Sequence, residues 1–141
     1  MQKPQRIGLA ILLSLGVSMA ALAAGSGKDL EATPQAKAYR ALLKAIDAGD
    51  YEAYKKCMMA DAAKDIDAQV KQMGKTPKET MGFFKVMEPT DIKFTALDVK
   101  DKKATLSATG KSSGEVNKGT IELAEENGQW KIGKQSWTNA R

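Results

Sequence analysis

Asn127-Gly-Gln-Trp-Lys-Ile-Gly-Lys-Gln-Ser-Trp137 holds both tryptophans of a 141-residue chain in which aromatic residues are scarce. Asn127-Gly128 is its strongest short-range hairpin signal, because a type I′ turn needs positive φ at both central positions. A two-residue loop there pairs Glu126 with Gln129 and Leu123 with Ile132. Trp130, Ile132, Leu123 and Ile121 then share one face. Strict alternation would send Lys134 to that apolar face and Trp137 to the other, burying a charge. A bulge at Gly133 resolves the conflict, turning Lys134 outward and returning Gln135 and Trp137 to the side of Trp130. Both tryptophans are therefore expected on the sheet face that meets the rest of the fold.

Working back from this hairpin, the pattern keeps a period of two. Ile92, Phe94 and Ala96 read as one face of a strand that begins near Asp91 and ends at the charged loop Lys100-Asp-Lys-Lys103. The return strand alternates Ala104, Leu106, Ala108 and Gly110 against Thr105, Ser107 and Thr109. Gly110-Lys-Ser-Ser-Gly114 reads as a flexible turn, and a third strand carries Ile121 and Leu123. The charged loop is a solvated hairpin tip on the simpler reading and an acidic-partner contact on the sharper one.

Before the strands the period is helical. Thr33 caps and Pro34 opens a helix to Ala48, with Tyr39, Leu42, Leu43 and Ile46 at helical spacing and Gly49 ending the run. Asp50 caps a second, in which Tyr51, Tyr54 and Met58 share a stripe that resumes through Ala62, Ile66 and Val70 to Gly74. The stripe is weak between Met59 and Ile66, so a break is expected near Ala60 or Asp61. Thr76-Pro-Lys-Glu79 matches a capping box, and Phe83, Phe84, Val86 and Met87 are expected to be the buried face of a third helix that Pro89 stops.

Lys3 and Arg6, the apolar run from Ile7 to Leu22, and Ala21-Leu-Ala23 together have the form of a cleaved export signal over residues 1–23. Residues 24–33 read as a flexible lead-in, and 34–141 as one domain located in the periplasm or secreted. No membrane anchor is expected after cleavage. Without Lys3 and Arg6 the formal charge of +5 falls to +3, too little and too dispersed for a nucleic-acid surface. Cys57 is the only cysteine and histidine is absent, so an internal disulfide is excluded and a thiol nucleophile lacks its usual base.

The expected class is α+β, with three N-terminal helices packed on the concave face of a curved, mainly four-stranded antiparallel sheet. On Ala45-Ile-Asp-Ala-Gly-Asp-Tyr-Glu-Ala-Tyr54 and the hairpin Glu126-Asn-Gly-Gln-Trp-Lys-Ile132, the chain resembles the nuclear transport factor two-like superfamily. This is a cystatin-like α+β roll that includes small exported bacterial domains of unknown function. The resemblance implies a conical pocket between helices and sheet, and homodimerisation. The pocket serves isomerases, dehydratases, hydrolases, carriers and docking modules alike, so fold does not select function. Superfamily enzymes of the ketosteroid isomerase type pair an acidic base with a phenolic or acidic donor. No such residue carries over to a position here.

A pocket of this kind would be lined by Tyr54, Met58, Phe84, Met87, Trp130 and Trp137, although core packing is the better account of any one of them. Met58, Met59, Met73, Met81 and Met87 beside Cys57 suit plastic core filling better than copper, since Met58 and Met59 point about 100° apart. No metal or cofactor is called for. The favoured function is a non-catalytic binding module for a small apolar ligand or a protein partner. The alternative is a small lyase, isomerase or hydrolase that sets Asp47, Asp50 or Glu79 against a tyrosine.

Overall fold

The computed structural model describes residues 27–140, so the expected export signal lies outside the described residues. In chain order they form α1 (Gly27–Glu31), α2 (Pro34–Ala48), α3 (Tyr51–Lys56), α4 (Ala60–Gln72) and α5 (Pro77–Met87). Four strands follow: β1 (Thr90–Lys100), β2 (Lys103–Ser112), β3 (Glu115–Glu126) and β4 (Gln129–Asn139). The strands make one antiparallel sheet in the order β1-β2-β3-β4. The α+β class holds, and five helices replace the expected three.

The caps fall where their side chains dictate. Ala36 N–H donates to Thr33 Oγ1 at 3.2 Å, Pro34 fills the first turn of α2, and Gly49 ends it with φ of 70°. Residues expected to be a flexible lead-in form α1, because Leu30 is buried in the core and Glu31 accepts from Arg40 Nε at 3.1 Å. Arg40 also donates to Ile92 O at 2.7 Å and lies 4.7 Å from the centre of the Phe94 ring. One guanidinium thus ties α1, α2 and β1 together.

The expected second helix is two helices. Asp50 caps α3, accepting from Ala53 N–H at 3.0 Å. The chain then leaves the helix at Cys57 and runs beside β4: Ile132 N–H donates to Cys57 O and Met59 N–H donates to Ile132 O, each at 2.8 Å. Glu126 Oε1 accepts from Ala60 N–H at 3.1 Å and so caps α4 from the end of β3. The break lies just ahead of the expected position because a strand, not a local signal, sets it.

The capping box at Thr76 and Glu79 is present, but the buried face of α5 is not the expected one. Thr80 and Met81 are buried and Phe84 half-buried, whereas Phe83, Val86 and Met87 are 55%, 83% and 62% exposed. Those four apolar side chains span an arc of about 160°, too wide to be buried together. Thr80 is tolerated inside because its hydroxyl donates to Thr76 O at 3.0 Å.

In the sheet, Asn127 and Gly128 have φ of 54° and 77°, as a type I′ turn requires. Leu123 pairs with Ile132 and Glu122 with Lys134, leaving Gly133 as the extra residue of a bulge. Gln135 and Trp137 therefore do share the inner face with Trp130 and Ile132. A second bulge was not expected: Phe94 pairs with Ala108 and Ala96 with Ser107. Thr95 is the extra residue there, so Ala96 leaves the face of Ile92 and Phe94, and Leu97 takes the buried place. Ile92, Phe94, Leu97, Leu106, Ile121, Leu123 and Ile132 meet Tyr39, Leu42 and Ile46 of α2 in one core.

Trp137 lies across two glycines of this face. A Cβ on Gly119 would stand 2.6 Å from its ring, and one on Gly110 would stand 3.2 Å from it and 2.8 Å from Pro89. Gly119→Ala is therefore expected to destabilise the fold by about 1–3 kcal/mol and to shift tryptophan emission to the red as the ring is displaced. Unchanged urea unfolding and emission would refute the packing role.

Candidate functional site

The six residues expected to line a pocket do not meet in either of the clefts described below. Tyr54 is buried, with its ring 5.3 Å from that of Phe84. Met58 and Trp130 are half-buried against the core, Trp137 covers the two glycines, and Met87 faces solvent. Of the six, only Phe84 lines one of the clefts described below. Gly110 of β2 and Gly119 of β3 make room for the Trp137 ring.

The carboxylates considered as bases are also placed. Asp50 and Glu79 serve helix caps, and the Thr76 N–H and hydroxyl hold the Glu79 carboxyl below the usual range. Asp47 is exposed on α2. Burial pushes the Cys57 thiol up, with Lys131 opposing, so the thiolate needed for reactivity is disfavoured.

Sequence reasoning missed a polar cluster at the junction of α2, α5 and β4. Tyr39 Oη donates to Gln135 Oε1 at 2.6 Å, and the Trp137 indole donates to the same oxygen at 3.2 Å. Gln135 Nε2 donates to Glu88 Oε1 at 2.8 Å. Glu88 Oε2 is buried and has no partner. Burial, the charge of Glu88 and other contacts leave the Tyr39 hydroxyl well above the usual phenol range, and burial likewise pushes the Glu88 carboxyl up. The one available signal was polar Gln135 on an otherwise apolar strand face.

Two clefts lie on either side of α5. The larger, about 380 Å³, is lined by Arg40, Lys44, Asp47, Lys85, Glu88 and Asp91 with apolar side chains beneath. Its polar groups are partly engaged, Arg40 with Glu31 and Ile92, and Asp91 with Lys111 at 3.4 Å. The other, about 220 Å³, lies between α4 and α5 and is lined by Ile66, Val70, Met73, Thr80, Phe83 and Phe84, with Gln69 and Lys75 at its edge. Lys75 is its only charged residue.

The second cleft exists because α4 is held lightly. Val70 is its one buried residue. Its other tie to α3 is Asp67, which accepts from Tyr51 Oη at 2.8 Å and pairs with Lys55 at 3.2 Å. Those two partners hold the Asp67 carboxyl below the usual range. Beside the cleft, Met73, Phe83, Val86 and Met87 form an exposed apolar band, the kind of surface that marks an interaction site. Among the described residues no helix is long and apolar enough to cross a membrane. A comparison of the sequence with protein-family models and with curated proteins found no match.

The cluster makes a stability prediction. Tyr39→Phe removes the hydrogen bond to Gln135 and is expected to cost at least about 1 kcal/mol. Gln135→Leu strands Tyr39, Trp137 and Glu88 together and is expected to cost about 3 kcal/mol or more. Equal losses for the two variants in urea unfolding would show that the cluster does not act as a unit.

Proposed function

We propose that the protein is an exported, non-catalytic binding module that seats one apolar group in the cleft between α4 and α5. The observation that carries this reading is an apolar cleft with a single cation at its edge, continued outward by exposed Met73, Phe83, Val86 and Met87. At about 220 Å³ the cleft is smaller than the roughly 300 Å³ at which ligand pockets usually begin. It suits a short acyl chain or a single side chain of a protein partner, anchored as interface hot spots are. Lys75, whose charge also acts on the nearby Glu79 carboxylate, favours an anionic group beside the apolar one.

Helices followed by an antiparallel meander, with a bulged closing hairpin, support membership of the nuclear transport factor two-like superfamily. On that reading the sheet is curved and its concave side holds the helices. Export rests on the sequence of residues 1–23, and it places the module in the periplasm or outside the cell. The alternative of a carboxylate and tyrosine enzyme gains no support from either such pair described, Asp67 with Tyr51 or Glu88 beside Tyr39: the Asp67 carboxyl is held below the usual range by its partners, which makes it a poor base. Tyr39 is 0% exposed and, although Glu88 lines the larger cleft, its Oε2 is closed off from solvent, so the phenol and that oxygen are not presented to a substrate.

Titration with octanoate, followed by NMR of the Ile66, Val70 and Met73 methyl groups, tests the reading. Saturable shifts are expected at these positions, with octanoate binding more tightly than octylammonium because of Lys75. Phe83→Glu is expected to weaken binding by about tenfold with little loss of stability. Saturable shifts at the Trp130 and Trp137 indoles instead, or none with either probe, would overturn it.

A further inference from the structure

Gln135 bonds both Tyr39 and Glu88, the Glu88 carboxyl acts on Tyr39, and a count of donors among the three shows what the buried Glu88 Oε2 lacks. Tyr39 Oη and Gln135 Oε1 stand 2.6 Å apart, a separation that needs a hydrogen between them, and Tyr39 holds the only one available. The Trp137 indole meets the same Gln135 atom at 3.2 Å. An indole N–H only donates, so the amide oxygen must face Tyr39 and Trp137 while the amide nitrogen faces Glu88. The hydrogen of Tyr39 is thereby committed. Glu88 Oε2, buried and without a donor, is satisfied only if it brings a hydrogen of its own.

We infer that Glu88 carries a proton on Oε2 and donates it to Tyr39 Oη, closing a ring that clasps the end of α5 to α2 and β4 and opens when the carboxyl ionises. The ring then runs from Glu88 to Tyr39, from Tyr39 to Gln135, and from Gln135 back to Glu88 Oε1. Each member donates once within it. Trp137 hangs from the amide oxygen of Gln135, so its indole N–H reports the state of the ring.

The charged and titratable surroundings fit this assignment. From α2 come Tyr39 and Arg40, with Lys44 and Asp47 further along the shared cleft. α3 contributes Tyr54, whose hydroxyl is pushed up to about 12, first by burial and then by the charge of Glu88. Lys85 stands on the same helix as Glu88 and Asp91 on β1, while β4 presents only Gln135 and Trp137. Among the described residues no lysine or arginine bonds the Glu88 carboxyl, and Arg40 is held by Glu31 and Ile92. Burial pushes the carboxyl above the ordinary glutamate value of 4.5, opposed by the Gln135 amide and then by the Tyr39 hydroxyl. A raised folded value means that the stability contributed by this proton is complete below the ordinary range and is lost as pH rises through the folded midpoint.

NMR of the full chain tests the clasp, following the Glu88 carboxyl carbon and the Trp137 indole N–H from mildly acidic to neutral solution. Both are expected to titrate with one midpoint, above that of ordinary glutamates. In Glu88→Gln the amide supplies the same donor and acceptor without titrating. Its indole resonance should be flat, and it should be more stable than the wild type on the alkaline side, with the difference vanishing in acid. An ordinary or lowered Glu88 midpoint, an indole indifferent to it, or a stability difference independent of pH would overturn the inference. Tyr39→Phe keeps the test decisive should Glu88→Gln fail to fold. Loss of the acceptor lowers the Glu88 midpoint if Glu88 donates to Tyr39, whereas an unmoved or raised midpoint means that it does not.

Discussion

Much of the fold depends on one extra residue in β4. Ile132 uses its N–H and C=O on the outer edge of the sheet, toward Cys57 and Met59, and Gly133 then shifts the register by one before Lys134 pairs with Glu122. Without that shift Lys134 would point into the core, and Gln135 and Trp137 would point away from it. A charged side chain there would lose its hydration with no partner to replace it. A Cβ at Gly133 would stand 2.7 Å from Met59 Sδ, so any larger residue would have to push the methionine side chain aside. The bulge and the break between α3 and α4 are thus two sides of one contact.

From that shift follows the division of the molecule into a closed side and an open one. Gln135 reaches Tyr39 and Glu88, tying the long helix α2 and the end of α5 to the sheet. Trp137 fills the hollow left by Gly110 and Gly119. With the inner face occupied, free apolar surface remains where α4 is joined to the body by little more than Val70, the half-buried Ile66, the Asp67 contacts and the Glu126 cap at its start. Hydrophobic burial is strong where the sheet and α2 meet and weak where α4 and α5 meet. A module can bind another molecule only where its own burial is incomplete.

Features specified by neighbouring residues were legible in the sequence. The caps at Thr33, Asp50 and Thr76, the turn at Asn127-Gly128 and the bulge at Gly133 each follow from a few adjacent side chains and their backbone needs. Features set by distant partners were not. Thr95 bulges because β1 must turn Leu97 toward the core, and the chain breaks at Cys57 because Ile132 supplies a partner from the far end. The composition of α5 pointed to Phe83, Val86 and Met87 as buried, yet the body meets the helix along Thr80, Met81, Phe84 and Glu88. Tyr39 was read as a core residue, but its hydroxyl partner lies 96 residues away. The polar cluster therefore had no local signature, and neither did the packing of Trp137 over Gly110 and Gly119.

The central claim is that the half-buried Trp137 covers the inner face of the sheet at Gly110 and Gly119, while the apolar surface between α4 and α5 is open. Solvent paramagnetic relaxation, measured with an inert soluble probe on the methyl groups and indole N–H protons, reports this directly. Strong relaxation is predicted at the Met73, Val86 and Met87 methyls, with the Met81 methyl and the Trp137 indole protected. A Trp137 indole relaxed as strongly as the Met87 methyl would contradict the account, because the face it covers would then be open to solvent and to ligands.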